Sequence, residues 1–218
     1  MKGVRRLHLL AFAWIFAAGP ACANTIILNF TGLPQNTENG TYNGFATGTS
    51  NSNQPFFDLI CDDYYHTTYV PSGPLTYTVS NFGDFVNARF YAIDNLIEKY
   101  REAAIIVRAI QTPTVLTDLM HPAYPFTTGD LQYALWNLFS PGIGETAQSA
   151  AILNYFAHNG APTSGYQDIY SSLVIYTPMP QYNSNQEFLS NPVPEPPPLA
   201  MFCIGFIFLG VGYKLRRR

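Results

Sequence analysis

Apolar and polar positions alternate on different periods in the two halves of the chain. Between residues 24 and 80 the apolar positions come in short β-type runs. Thr25 to Phe30 predicts a first strand, and Phe56 to Tyr65 a buried strand rich in aromatics and aliphatics. Leu75 to Val79 alternates like a half-buried strand, after a turn at Pro71 to Pro74. Gly32 to Asn53 is dense in Asn, Gly, Thr and Ser, and Asn39-Gly40 is a turn pair, so a long surface loop or hairpin set is expected. From Asp84 to Ile110 the period becomes helical, with Phe85, Ala88, Ala92, Leu96, Tyr100 and Ala103 on one face. One helix and two helices with a break fit that pattern equally. Pro113, Pro122 and Pro125 predict irregular chain from Thr112 to Phe126.

Thr127 or Thr128 can cap the next helix, with Gly129 and Asp130 in its first turn and Pro141-Gly142 at its end. A third helix is expected from Glu145 to Ala157, with Ala147, Ala151, Leu153, Tyr155 and Phe156 partly buried, stopping at Asn159-Gly160. Ser172 to Tyr176 reads as the last clear strand, followed by a tether rich in Pro, Asn and Gln. The order predicts an α+β fold, a β-rich lobe packed with a helical lobe.

The two ends have their own patterns. Lys2, Arg5 and Arg6 precede an apolar run from Leu9 to Ala18, and Ala21-Cys22-Ala23 is a small-residue cleavage site. This predicts a signal peptide over residues 1–23. A lipoprotein reading would keep Cys22 as lipid carrier, but Gly19-Pro20-Ala21 lacks the aliphatic residue it requires. At the other end, Pro194-Glu195-Pro196 precedes an apolar run from Leu199 to Tyr213 and the basic cluster Lys214-Leu215-Arg216-Arg217-Arg218. As a helix, residues 199–213 reach about 22 Å, short against a hydrocarbon core of about 30 Å. The basic cluster predicts a cytoplasmic end. A C-terminal membrane anchor is one reading of residues 191–218. This order also resembles the PEP-CTERM sorting signal of Gram-negative bacteria. The resemblance implies processing by an exosortase near Pro194-Glu195-Pro196 and delivery to the cell surface or extracellular matrix.

Between these ends lies an expected ectodomain, residues 24–190, and its charge differs from that of the whole. The full chain carries 11 Lys and Arg against 14 Asp and Glu. From Asn24 to Val193 the only bases are Arg89, Lys99, Arg101 and Arg108, against 13 acids, a net of −9. Such a surface repels nucleic acid, which removes that class of partner. Because all four bases lie in the helical stretch with Glu98 and Glu102, they predict a solvated face laced with ion pairs.

Candidate chemistry centres on Cys61, the one Cys of the expected ectodomain. Cys61-x-Asp63-x-x-His66 offers the parts of a thiol hydrolase, but a strand puts Cys61 and Asp63 on one face and His66 on the other. A metal site made of the same three residues lacks a second spaced pair to complete a tetrahedral set. Phosphate-loop and dinucleotide glycine patterns are absent. No cofactor or enzyme activity is expected. A remaining chemistry needs only a thiol and a carboxamide. If Cys61 attacks the side chain of Gln132, ammonia leaves and an internal thioester forms, a stored electrophile that an amine or hydroxyl can open. Gln132 lies early in its helix, where free backbone N–H groups can steady the developing oxyanion. The scarcity of lysine suits an electrophile that must not consume itself.

Cys61 with Leu131-Gln132-Tyr133-Ala134-Leu135-Trp136 resembles the two motifs of the thioester domains in Gram-positive surface adhesins, where a Trp stands four positions after the Gln. Adding Asp63, His66, Val174 to Pro178 and Gln186 to Leu189, the chain also resembles a group of thioester-domain-like PEP-CTERM proteins. The resemblance implies a surface protein that attaches covalently through Cys61 and Gln132. Asp62 departs from the pattern, standing where an apolar residue usually follows the Cys. A carboxylate there raises the thiol pKa and slows attack. The alternative is a structural or non-covalent binding module, with Cys61 a small buried hydrophobe.

Overall fold

The computed structural model describes residues 24–32, 45–50, 55–66, 68, 72–121, 125–181 and 183–191. The expected signal peptide and the apolar C-terminal helix lie outside them. Among the described residues, no helix is long and apolar enough to cross a membrane.

The fold is α+β. Six antiparallel strands, β1 (Asn24–Gly32), β2 (Phe45–Ser50), β3 (Pro55–Cys61), β4 (Ser72–Asn81), β5 (Val174–Pro178) and β6 (Phe188–Ser190), close a barrel in the order β1-β2-β3-β6-β5-β4. Pairing of β1 with β4 makes the closure, so among the described residues no strand edge of this sheet is left open. Five helices fill the interval between β4 and β5: α1 (Leu96–Gln111), α2 (Thr114–Met120), α3 (Thr128–Phe139), α4 (Ala147–Asn159) and α5 (Gln167–Ser171).

Strand pleat separates two cores. Leu28, Phe30, Leu59, Cys61, Tyr77 and Phe188 pack together inside the barrel, with Ile26, Leu75 and Tyr176 against them. Ile60, Ile175 and Leu189 belong to the other core, shared with the helices. The ladder makes this a row structure: Ile60 faces Leu189, which faces Ile175, and one step along Cys61 faces Phe188, which faces Tyr176. Successive rows point to opposite faces by the period of two. Helix α1 is buried on every side from Glu102 to Ala109 and packs against α2, α3 and α5. Its alanines 103, 104 and 109 let neighbouring helices approach closely.

Several expectations need correction. Residues 82–95 form a series of turns, not the start of a helix, and α1 begins only after Asn95 takes a left-handed φ of 56°. Ala92, expected on the buried face, is therefore exposed. Helix α2 lies inside the stretch expected to be irregular, because Pro113 occupies its N-cap position, where a missing N–H costs nothing. In α4, Ala147 and Ala151 are exposed, and Ser149, Ile152 and Phe156 are the buried residues. The expected tether after β5 contains β6, the strand that closes the barrel between β3 and β5.

The bases also differ from a solvated face. Arg101 pairs with Glu98 at 3.3 Å, as expected of a half-exposed helix pair. Arg108 is buried and donates to Asn191 Oδ1 at 2.5 Å and Ser172 Oγ at 3.0 Å. Asn191 donates in turn to the carbonyls of Ala104 and Ile169. This cluster ties the residue after β6 to α1 and to α5. Lys99 Nζ donates to Leu138 O at 2.5 Å, satisfying a carbonyl at the C-terminal end of α3.

Candidate functional site

Helix α3 brings Gln132 to the end of β3. Thr127 caps it with a capping box: Asp130 N donates to Thr127 Oγ1, and Asp130 Oδ2 accepts from Thr127 N. Asp130 Oδ1 accepts from Thr146 Oγ1, the N-cap of α4, so one carboxylate fixes both helix starts. Burial opposes the charge of Asp130, but the Thr127 and Thr146 hydroxyls outweigh it and hold the carboxyl below its usual range.

With the helix so fixed, Gln132 Nε2 donates to the backbone carbonyl of Cys61 at 2.6 Å, across 71 residues of sequence. Both residues are buried, Cys61 completely and Gln132 at 1% exposure. The Gln132 carbonyl oxygen Oε1 is buried without a hydrogen-bond partner among the described residues. An orphaned buried acceptor is costly unless some other state of the site uses it. The Cys61 carbonyl is free to accept because β3 ends there.

The thiol has two polar neighbours. Cys61 Sγ donates to Asp63 O at 3.1 Å, and the Trp136 indole lies close enough to the sulfur to favour its ionised form. Trp136, 4% exposed, lies one helical turn beyond Gln132 on the same face. The structure thus brings together Cys61, Gln132 and Trp136. Burial is the main force raising the Cys61 pKa, and the charges of Asp62 and Asp63 add to it. The Asp63 carbonyl and Trp136 oppose the rise without cancelling it. The sulfur is a thiol, not a thiolate, at neutral pH.

Asp62 sits on the opposite side of the chain from Cys61 and is completely buried. Burial first, then Glu187 and Asp63, pushes its carboxyl well above the usual range. Glu187 Oε2 accepts from Arg89 N at 2.7 Å and from Thr177 Oγ1, and its Oε1 accepts from Tyr100 OH at 3.0 Å. Burial raises Glu187 as well, against which these donors favour its ionised form. The carboxyl that departs from the expected pattern therefore holds its proton more tightly than an ordinary aspartate. Its effect on the sulfur is secondary to that of burial.

Asp63 and His66 are not on opposite faces, because the strand stops at Cys61 and the chain turns. Asp63 meets His66 Nδ1 at 2.8 Å and Arg89 Nη1 at 2.6 Å. Arg89 Nη2 donates to the carbonyls of Asn183 and Asn185, so the arginine clamps the loop after Cys61 to the loop before β6. Gln186 closes the same clamp, donating to Asp63 O at 3.2 Å and exchanging bonds with Thr68. His66 is bound to Asp63, and the sulfur turns instead to the Asp63 carbonyl, so the parts of the thiol hydrolase do not assemble. Among the described residues no group of three or more His, Cys, Asp or Glu is arranged to hold a metal.

Arg89, Glu187 and Gln186 support the site, and their role as its clamp was not foreseen from sequence. Gln186-Glu187 was noticed only within the resemblance, and Arg89 read as a surface charge. No family model, curated protein or solved structure matches the chain, so the geometry carries the functional argument.

Proposed function

We propose that the protein is an exported surface or matrix protein whose Cys61 and Gln132 condense to an internal thioester for covalent attachment to a partner. The observation that carries this reading is the hydrogen bond from Gln132 Nε2 to Cys61 O, which holds a carboxamide beside a buried thiol. Sγ adds to Gln132 Cδ, the C–N bond breaks, and the thiol proton leaves with the amide nitrogen as ammonia. Holding the two residues as neighbours lowers the entropic cost of bringing them together. Enclosure also excludes water, which would hydrolyse the product. An incoming amine then attacks Cδ, the C–S bond breaks, and the amine proton passes to sulfur.

Export and sorting rest on the resemblance of residues 1–23 and 193–218 to a signal peptide and a PEP-CTERM signal. An exosortase is the processing partner, and the membrane holds residues 199–213 until then. In a host with that enzyme, the mature protein is expected to lose the tail through Arg218.

Intact mass tests the bond. Fresh ectodomain should weigh one ammonia less than its sequence, and methylamine should free the Cys61 thiol while adding its mass at Gln132. Cys61→Ala and Gln132→Ala should each abolish both effects. Wild type with unmodified Gln132 and a freely titrating thiol, prepared quickly without amine buffers, would overturn the reading. The alternative is a structural or non-covalent binding module. It draws support from the raised thiol pKa, which keeps Cys61 unreactive.

A further inference from the structure

Among the described residues, the seam between β3 and β6 is the shortest in the barrel. Two ladder pairs hold it, Ile60 with Leu189 and Cys61 with Phe188, whereas β1 and β4 share six. Continuing that register one step sets Asp62 opposite Glu187, on the face that Ile60 and Leu189 turn to the helices. Both acids are completely buried. Like charges directly opposite on paired strands are destabilising, the more so away from water. No ion pair among the described residues includes either one.

We propose that Asp62 and Glu187 share a single proton that latches β3 to β6 beside Cys61, and that the seam parts when a rise in pH removes it. The latch does not depend on the thioester reading.

Bond counting favours a proton over a metal ion. An ionised carboxylate offers about four acceptor positions. Glu187 Oε2 accepts from Arg89 N and Thr177 Oγ1, and Oε1 accepts from Tyr100 OH. One position remains, on Oε1. It has room for a single O–H, whereas a cation would have to displace the donors. Across from it, neither Asp62 oxygen has a hydrogen-bond partner among the described residues. Two facing carboxylates offer acceptors only, and one added proton turns their repulsion into a bond. Burial raises the pKa of both carboxyls, and Glu187 raises that of Asp62 further, so the pair keeps its proton to higher pH than ordinary carboxyls.

The other groups around the pair do not neutralise it. Asp63, in the loop after β3, adds negative charge and is itself paired to His66 and to Arg89 Nη1. Arg89, from the turns before α1, gives Glu187 its backbone N–H, while Nη2 bonds the carbonyls of Asn183 and Asn185. Burial raises the Tyr100 hydroxyl on α1, so it stays a donor. Cys61 lies on the opposite face of β3. Without the proton, two negative charges face each other at close range. The three-residue strand β6 then gives way and uncovers Cys61 in the last ladder pair.

Hydrogen exchange of the full chain in detergent, read by mass spectrometry as pH rises, tests the latch. After correction for base catalysis, peptides holding residues 57–62 and 187–190 should gain on the order of tenfold in exchange, while a peptide from α3 should not. Asp62→Asn, whose amide N–H can stand in for the shared O–H, should hold all three at the corrected baseline. Infrared spectra in heavy water, taken just above the Glu102 titration at about 7, should show a neutral-carboxyl band in wild type that Asp62→Asn lacks. No excess exchange in wild type, or the same excess in α3 or in Asp62→Asn, would overturn the latch. A band unchanged by the substitution would overturn the shared proton. Loss of protection on adding a chelator at constant pH would overturn it too, by assigning the pair to a metal ion.

Discussion

The barrel interior and the helical layer share the strands β3, β6 and β5 but are filled differently. The helical core contains Ile105, Ile106, Val107, Leu116, Leu135 and Ile152 with several alanines, a mixture that can repack when one member shrinks. The barrel interior is smaller and more specific. Phe30, Tyr77 and Phe188 contact one another at centroid distances from 5.3 to 6.1 Å in the same cluster as Cys61. A closed wall gives these rings little room to adjust. The difference teaches where each job is done: the helical layer supplies mass, and the barrel with its rim supplies a fixed position for one sulfur.

Trp136 is buried on α3 against Tyr64 and Tyr133, and its loss should have the largest effect. Trp136→Ala should cost about 3–5 kcal/mol, read as a lowered denaturant midpoint, and methylamine capture should fall with it. An unchanged midpoint would show that the indole is redundant.

Glu187→Ala should come next. It leaves Arg89 N, Tyr100 OH and Thr177 OH buried without their acceptor, each costing about 1–3 kcal/mol when unrelieved. A loss on the order of 3 kcal/mol is expected in urea unfolding. A loss under about 1 kcal/mol would mean that water replaces the carboxylate.

A pH titration compares the carboxyls of the two regions. Glu102 on α1 is pushed up to about 7, first by burial and then by Glu98. Asp62 is raised as well. Both bind a proton more tightly folded than unfolded, so their contribution is full below the unfolded values and is lost as pH rises. For Glu102 the window runs from 4.5 to about 7. Melting temperature should therefore decline across that window, and Glu102→Gln should flatten the slope. Asp130, whose pKa is lowered, acts with the opposite sign and loses its contribution as pH falls below 3.8. A Glu102→Gln slope identical to wild type would place the titration elsewhere.

The smallest effect belongs to the adaptable core. Ile106→Val should cost only about 0.5–1.5 kcal/mol by thermal melting, with methylamine capture unchanged. A larger loss would show the helical layer to be as rigid as the barrel.

These contrasts also mark what the sequence made legible. Helix α3 and its Thr127 cap were readable, because a cap is a local signal. The pairing of Cys61 with Gln132 follows from thiol and carboxamide chemistry together with a resemblance, and the fold brings the two residues side by side. Strand β6 was hidden, since three residues cannot display a period of two. Strand β2 lies in Gly- and Thr-rich chain that suits a loop or a hairpin, and of those two readings the hairpin holds. Arg89 and Arg108 read as surface charges, because burying a guanidinium depends on acceptors such as Asp63 and Asn191 that arrive from distant segments. The apolar spacing of Phe85, Ala88 and Ala92 suggested a helix, and turns happened to bury the first two.

Strand β6 carries a consequence for timing. It lies between β3 and β5 and is the last strand in sequence among the described residues. Until residue 190 has been delivered, the wall beside Cys61 has a gap one strand wide, and Glu187 and Gln186 are missing from the clamp. The chain therefore travels with its sulfur and its carboxamide in an unfinished enclosure. Their fixed juxtaposition is assembled at the close of folding, when almost the whole domain has arrived.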